Sequence, residues 1–259
     1  MEQILMREAA PLGPAQWDGV DQIVKEVAGH ILVGRRFLNL YGPLGYGTYV
    51  VPLYTYTASK GEPVRAQPAE QLPLTQLSHD FAIAVRDLAA FNAGQPFDLA
   101  PVGVAAAFCA MDEDSLIFKG LLGARNRSKA SLGDWSKEGQ ALADVSAAIA
   151  RLTAAHLYGP YAVVMHPNRY ALIQRVYGRQ GLLEEDLLEK RAKEGVFQSP
   201  AMPEDRVLVV APQPPYLDLA VGQDMVAAYL ETSDMEHRFR VFETVALRVK
   251  QPGAICTLE

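Results

Sequence analysis

Cysteine is almost missing from this chain of 259 residues: Cys109 lies inside an apolar helical pattern and Cys256 stands close to the end. Two lone thiols so placed offer neither a disulfide framework nor a C-x-x-C metal site, and they fit a reducing cytoplasm. An excess of basic charge is missing too. The 24 Lys and Arg stand against 30 Asp and Glu, so the phosphate neutralisation that a nucleic-acid partner demands is not expected. No window of about 18 uncharged apolar residues occurs, and the opening Met1-Glu2-Gln3-Ile4-Leu5-Met6-Arg7-Glu8 has neither the cationic start nor the apolar core of a leader. Neither classical export nor a membrane span is expected. Repeats, low-complexity tracts and flexible linkers are absent as well, and a hydrophobic content of 49% is enough to bury one large core or two modest ones.

The residue groupings that carry chemistry are also hard to find. There is no Gly-x-Ser-x-Gly elbow and no Walker loop. Gly45-Tyr46-Gly47 lacks the third glycine of a dinucleotide fingerprint and precedes a strand, so its glycines are read as turn geometry. His30, His79, His156, His166 and His237 are scattered, with no His-x-x-x-His or Glu-x-x-His pair; surface or hydrogen-bonded roles are expected, with a pH-sensitive interface as the alternative. Asp112-Glu113-Asp114 holds three consecutive acids, which on a helix point about 100° apart, and predicts a solvated face or interface ion pairs. Ser78-His79-Asp80 contains triad residue types, but adjacency in sequence does not put a base against a nucleophile. No catalytic residue and no metal ligand set is assigned, and the chain is read as a non-enzyme.

What is present is pattern. From Pro14, which suits a first helical turn, Trp17, Val20, Ile23, Val24, Val27, Ala28 and Ile31 recur on one face at helical spacing, and Gly34 is expected to end that helix. Thr48 to Thr57 is rich in β-formers, Lys60-Gly61-Glu62-Pro63 is turn chemistry, and Val64 to Leu77 returns as an irregular second strand. A two-stranded arm of that kind is marginal alone and needs a neighbour. Helices are predicted over 80–91 and 99–118, a loop over 121–137, helices over 139–157, 168–176 and 182–193, and strands over 161–165, 207–211, 217–221, 226–230 and 239–249. The mixture predicts an α+β topology.

The stretch from Gly34 to Gly47, taken with Tyr158-Gly159-Pro160-Tyr161-Ala162-Val163-Val164-Met165-His166 and with Pro252-Gly253-Ala254-Ile255-Cys256-Thr257-Leu258-Glu259, resembles the encapsulins, the linocin-like shell proteins of bacterial and archaeal nanocompartments. The resemblance runs along nearly the whole chain in collinear order. It implies the Hong Kong 97-type fold of tailed-phage capsid proteins: an N-terminal arm and helix over 1–47, an extended loop over 48–79, a peripheral domain of 80–135 and 216–259, and an axial domain over 136–215. It further implies self-assembly into an icosahedral, virus-like hollow particle of about 60, 180 or 240 copies. Such a shell encloses cargo bearing a C-terminal targeting peptide, here a ferritin-like iron-storage protein first or a dye-decolourising peroxidase second. Nucleic acid and membrane are not among the implied partners.

By the same resemblance the cargo-peptide groove maps to Ile23, Val27, Ile31, Arg35, Asn39, Met225, Ala227 and Tyr229, though each of these can equally pack into its own core. Gly178, Arg179, Gln180 and Gly181 would line a pore, or simply connect two helices. Some encapsulins hold a flavin against a tryptophan in the helix matching 80–92. This chain reads Ala84-Val85-Arg86-Asp87 there, its tryptophans are Trp17 and Trp135, and no cofactor is expected. A prophage major capsid protein is the alternative reading, set back because the first helix already begins at Pro14, leaving no long scaffolding segment; a peptidase or bacteriocin-like protein is a third.

Overall fold

Two five-stranded sheets share the chain in the computed structural model, which describes residues 2–57, 63, 65–93, 95, 98–178 and 181–259. A short helix α1 (Glu2–Leu5) precedes α2 (Pro14–Ile31), whose Trp17, Val20, Val24 and Ala28 face inward. The helix closes at Ile31, where Leu32 turns extended and still donates its N–H to Ala28 O. Gly34 is therefore not the cap expected of it. It lies in a 3₁₀ turn pressed against Ile117 and Asp114, so close that a Cβ would overlap the Ile117 side chain.

Beyond that turn β1 (Leu40–Tyr41) leads into Gly42, whose φ of 140° suits glycine and whose missing Cβ leaves room for the carbonyl of Val221. The arm follows as β2 (Val50–Thr57) and β3 (Arg65–Pro73), paired with each other and, among the described residues, with no other strand. Of the expected turn, Lys60, Gly61 and Glu62 fall outside the described residues. Next comes β4 (Thr75–Ala84), so residues 80–84 are strand where a helix was expected. Phe81 and Ile83 alternate inward at period two, and their pairing outweighs the helical reading. The helix itself, α3 (Val85–Asn92), starts only at Val85.

The spine of this half is α4 (Ala100–Gly123), which runs past Phe118 because Leu121 and Leu122 continue its buried face. The stretch expected as loop then contains a short strand, β5 (Ser128–Ala130). Helix α5 (Gln140–Ala154), strand β6 (Ala162–Met165) and helix α6 (Pro167–Ile173) follow. A small hairpin of β7 (Val176–Tyr177) and β8 (Leu182–Leu183) leads to α7 (Glu184–Arg191). The remainder is strand: β9 (Gly195–Gln198), β10 (Val207–Val210), β11 (Leu217–Val221), β12 (Val226–Ser233), β13 (Glu236–Val249) and β14 (Ile255–Leu258).

Strand β13 organises the first sheet, with β4 along one edge and β12 then β11 along the other, while β1 adds to β11 in parallel. Helices α2 and α4 cover it, burying Val24, Val102, Cys109, Phe239 and Val241 between the layers. The second sheet runs β5-β14-β10-β6-β9 and packs α5 around Trp135, Leu152, Met165 and Leu188. Residues 128–130 and 255–258, expected with the peripheral unit, thus belong to the sheet of the 136–215 region: Cys256 pairs with Ser128 and Val209.

Gly42 and Gly45 both have positive φ, but nothing lies within 4 Å of a Cβ added at Gly45. Gly45→Ala should cost only the left-handed penalty of about 1–2 kcal/mol. Gly42→Ala must also push Val221 away and should lower the melting temperature further, which thermal unfolding of the two variants side by side would show.

Candidate functional site

The amphipathic stripe of α2 is wider than one neighbour can cover, and its far edge opens on a cleft. Val24, Ala28 and Leu32, spaced four apart, form one wall; Leu5 and Met225 complete an apolar lining around a cavity of about 630 Å³. Charges ring it. Arg7 donates to both oxygens of Asp21 at 2.6 and 2.7 Å and to the carbonyl of Ala227, while stacking 4.4 Å above the Trp17 ring, so one side chain ties α2 to the edge of β12. Lys25 and Arg36 also reach the rim, Arg36 donating to the carbonyl of His30.

At the inner end Arg35 reaches three carboxylates: Glu113 of α4, Glu243 of β13 and Asp224 before β12, each at 2.6 Å. Burial alone would lower the Arg35 pKa, but the hydrogen bond to Glu113 and the charges of Glu113 and Glu243 outweigh it and raise it. Burial first, then the charge of Glu113, hold Glu243 well above the ordinary carboxyl range. Cys109, beside Glu243, has its thiol pushed up by burial and by that same carboxylate, which makes it inert as a nucleophile. Of the three acids expected on a solvated face, two are therefore buried and internally paired. Only Asp112 is exposed, and it meets His79 at 2.8 Å.

Asp114, one position on, accepts the N–H groups of Val33 and Gly34 at 3.1 and 2.9 Å and the hydroxyl of Ser199 at 3.3 Å. Burial pushes its pKa up to about 6 against the pull of those backbone donors. It lies at the back of a second cavity, of about 530 Å³, which Ile31, Met111 and Pro200 also line.

The eight groove residues expected from sequence do not gather in one place. Arg35 and Met225 line the first cleft together. Ile31 lines the second, and Ile23 and Val27 face Gly103 in the seam between α2 and α4. Asn39 donates to the carbonyl of Pro212, away from both cavities. Ala227 and Tyr229 pack in the core beneath α2 among Phe81, Phe239 and Val241 and line neither cavity. Reading the helix stripe one residue later would have found Val24, Ala28 and Leu32. Nothing in the sequence signalled Arg7, whose partners lie 14 and 220 positions away.

Gly178 and Gly181 flank the tip of the β7–β8 hairpin with φ of 63° and 71°; Arg179 and Gln180 lie outside the described residues. The strands on either side, β7 and β8, pair with each other, which a bare helix connector would not require. Along β4 His79 turns to Asp112 on one face, while Asp80, on the other face with Ser78, accepts from Arg240. Among the described residues no group of His, Cys, Asp or Glu could hold a metal ion, and no helix is long and apolar enough to cross a membrane.

Comparison with known proteins adds an independent line. A family model described as an encapsulating protein for peroxidase matches residues 1–246. The type 1 encapsulin shell protein EncA of Myxococcus xanthus is 36% identical, over all of this chain and 97% of that protein. A ferritin-like-encapsulin shell fusion protein of Pyrococcus furiosus is 29% identical over 76% of this chain, which spans 55% of the fusion. Among solved structures, a virus-like particle from Pyrococcus furiosus superimposes with a TM-score of 0.83 at 23% identity, covering 94% of this chain and 99% of that one. The Mycobacterium phage Che8 structure does so at 0.63 and 15% identity, covering 88% and 91%.

Because the folded pKa of Asp114 is raised from 3.8 to about 6, the folded chain binds its proton more tightly than the unfolded one. Its contribution to stability is complete below about pH 4 and is lost as pH rises through 6. Asp114→Asn keeps an acceptor for Val33 and Gly34 but cannot titrate. The melting-temperature difference between wild type and Asp114→Asn should therefore change across pH 4–7, tilting toward the variant as pH rises; a flat difference would refute the assignment.

Proposed function

The chain belongs to the encapsulin family of shell proteins, and from that premise we propose that it closes with copies of itself into an icosahedral compartment around a cargo enzyme. It is a shell protein with the Hong Kong 97-type fold of phage capsids, not an enzyme. The observation that carries the assembly reading is the arm. Strands β2 and β3 pair only with each other among the described residues, and the arm carries exposed aromatics: Tyr49 at 82%, with Tyr54 and Tyr56 beyond it. A two-stranded ribbon is marginal in water, and one bearing three exposed tyrosines is built to be covered. The next subunit supplies the cover.

In this reading the first sheet with α2 and α4 is the peripheral unit. The second sheet with α5 to α7 is the axial unit, with the paired strands β7 and β8 at the particle's symmetry axis forming the pore rim. The copy number is one of the family's three, and the particle resides in the cytoplasm. The ferritin-like domain fused to the Pyrococcus furiosus relative favours a ferritin-like iron-storage cargo. The description of the family model supports a peroxidase as the second choice.

The cargo's C-terminal peptide docks in the cleft between α2 and the start of β12. That cleft combines an apolar floor with charged flanks, the form a short amphipathic segment needs for affinity and register. Two substitutions separate it from the second cavity. Met225→Asp should abolish co-purification of cargo while leaving hollow particles visible by electron microscopy, and Ile31→Asp should leave loading intact. The reverse pattern would move the groove to the second cavity. Small oligomers in place of particles from the wild-type chain would overturn the shell reading itself.

A further inference from the structure

Apart from the chain itself, which leaves the arm through Leu74 into β4, the arm meets the body at its root. Its root is apolar: Val51 is buried against Ala220 and Ala246, with Leu72 and Leu74 alongside. Such a contact holds the arm down but is non-directional, so it leaves the angle of departure open. Direction comes from Arg248. Its Nε and Nη2 donate to the two oxygens of Asp218 at 2.6 and 2.7 Å, its plane lies 3.9 Å from the Tyr41 ring, and its remaining Nη1 donates to the backbone carbonyl of Pro52 at 3.3 Å. Asp218 is itself fixed by Lys250, which also donates to the carbonyl of Pro214. One buried, planar fork therefore grips β11, β1 and β2 at once. Among the described residues its bond to Pro52 is the only side-chain hydrogen bond from the body to the two arm strands.

We propose that Arg248 is a positioning residue that fixes the angle at which the arm leaves the first sheet, and through that angle the size of the closed particle. The inference rests on the shell reading above. Leverage makes a small tilt matter. From Pro52 to Thr57 the arm extends roughly 17 Å, so a tilt of about 10° moves that end by about 3 Å, a large part of the ~4.8 Å between paired strands. An arm so displaced meets its neighbour out of register, and closure then takes place at another curvature. Lysine cannot substitute, because its ammonium is a point donor that cannot hold Asp218 with two parallel bonds while reaching Pro52.

The test compares particle diameters of the full-length wild-type chain and Arg248→Lys by cryo-electron microscopy and charge-detection mass spectrometry, with far-UV circular dichroism and melting temperature as separate readouts. Wild type should give one diameter. Arg248→Lys should retain the wild-type spectrum yet give two or more diameters or open sheets, an effect that a merely stabilising residue would not produce. If Arg248→Lys does not fold, Tyr41→Leu leaves the Asp218 pair in place while removing the surface that orients the guanidinium, and should broaden the diameters in the same way. A single wild-type diameter from whichever variant folds overturns the role of Arg248 alone. A wild-type chain that forms no closed particle overturns the shell reading and this inference with it.

Discussion

The half of the molecule built on the first sheet depends on one half-buried cation. Glu113 and Glu243 sit between a helix layer and a sheet, where two carboxylates without a counter-charge would repel each other in a medium that screens poorly. Arg35, entering from the turn after α2, engages both and reaches Asp224 as well. A guanidinium can do this because its donors fan out in a plane; an ammonium could not. Removing one partner from such a cluster costs about 3–5 kcal/mol because the others are left buried and unpaired, whereas a wholly apolar replacement can be neutral. The cluster therefore specifies arrangement more than it adds stability. It says where α2 ends relative to α4 and β13, and Asp114 repeats the statement through the N–H groups of Val33 and Gly34.

Local pattern made most of this fold legible. The helical period of 14–31, the β-rich 50–57 and the apolar runs at 162–165, 207–210 and 217–221 each announce their element without help from the rest of the chain. Expectation failed where partners decide. Residues 80–84 have enough alanine to read as helix, and only the antiparallel pairing with β13 holds them extended. Short strands β5, β9 and β14 are too brief to show a period, and they exist because neighbouring strands supply their hydrogen bonds. The exchange of β5 and β14 into the second sheet is a matter of topology that no window of sequence contains.

The candidate site was legible in kind but not in phase. A stripe of seven apolar positions on α2 has two edges, and sequence does not say which edge the sheet covers. Ile23 and Val27 turned out to face α4, while Val24, Ala28 and Leu32 border the cleft. The acid triplet misled for a related reason: charged residues are exposed by default, and only the distant Arg35 and the backbone donors at 33 and 34 make it possible to bury Glu113 and Asp114. The resemblance to encapsulins points to the neighbourhood of α2, where two cavities lie, one lined by Val24, Ala28 and Leu32 and the other by His30 and Ile31.

The unpaired arm has a consequence for what stability means in this protein. Beyond their pairing with each other, its strands touch the rest of their own chain only near the root, so on the shell reading proposed above much of the free energy that holds the arm in place comes from association. Mass action then governs it: the arm's order, and the melting temperature with it, rise with subunit concentration, as for any chain whose folded form is the one that binds. Dilution acts on such a subunit as a mild denaturant, and the protein is at its most robust in the crowded, closed state in which it works.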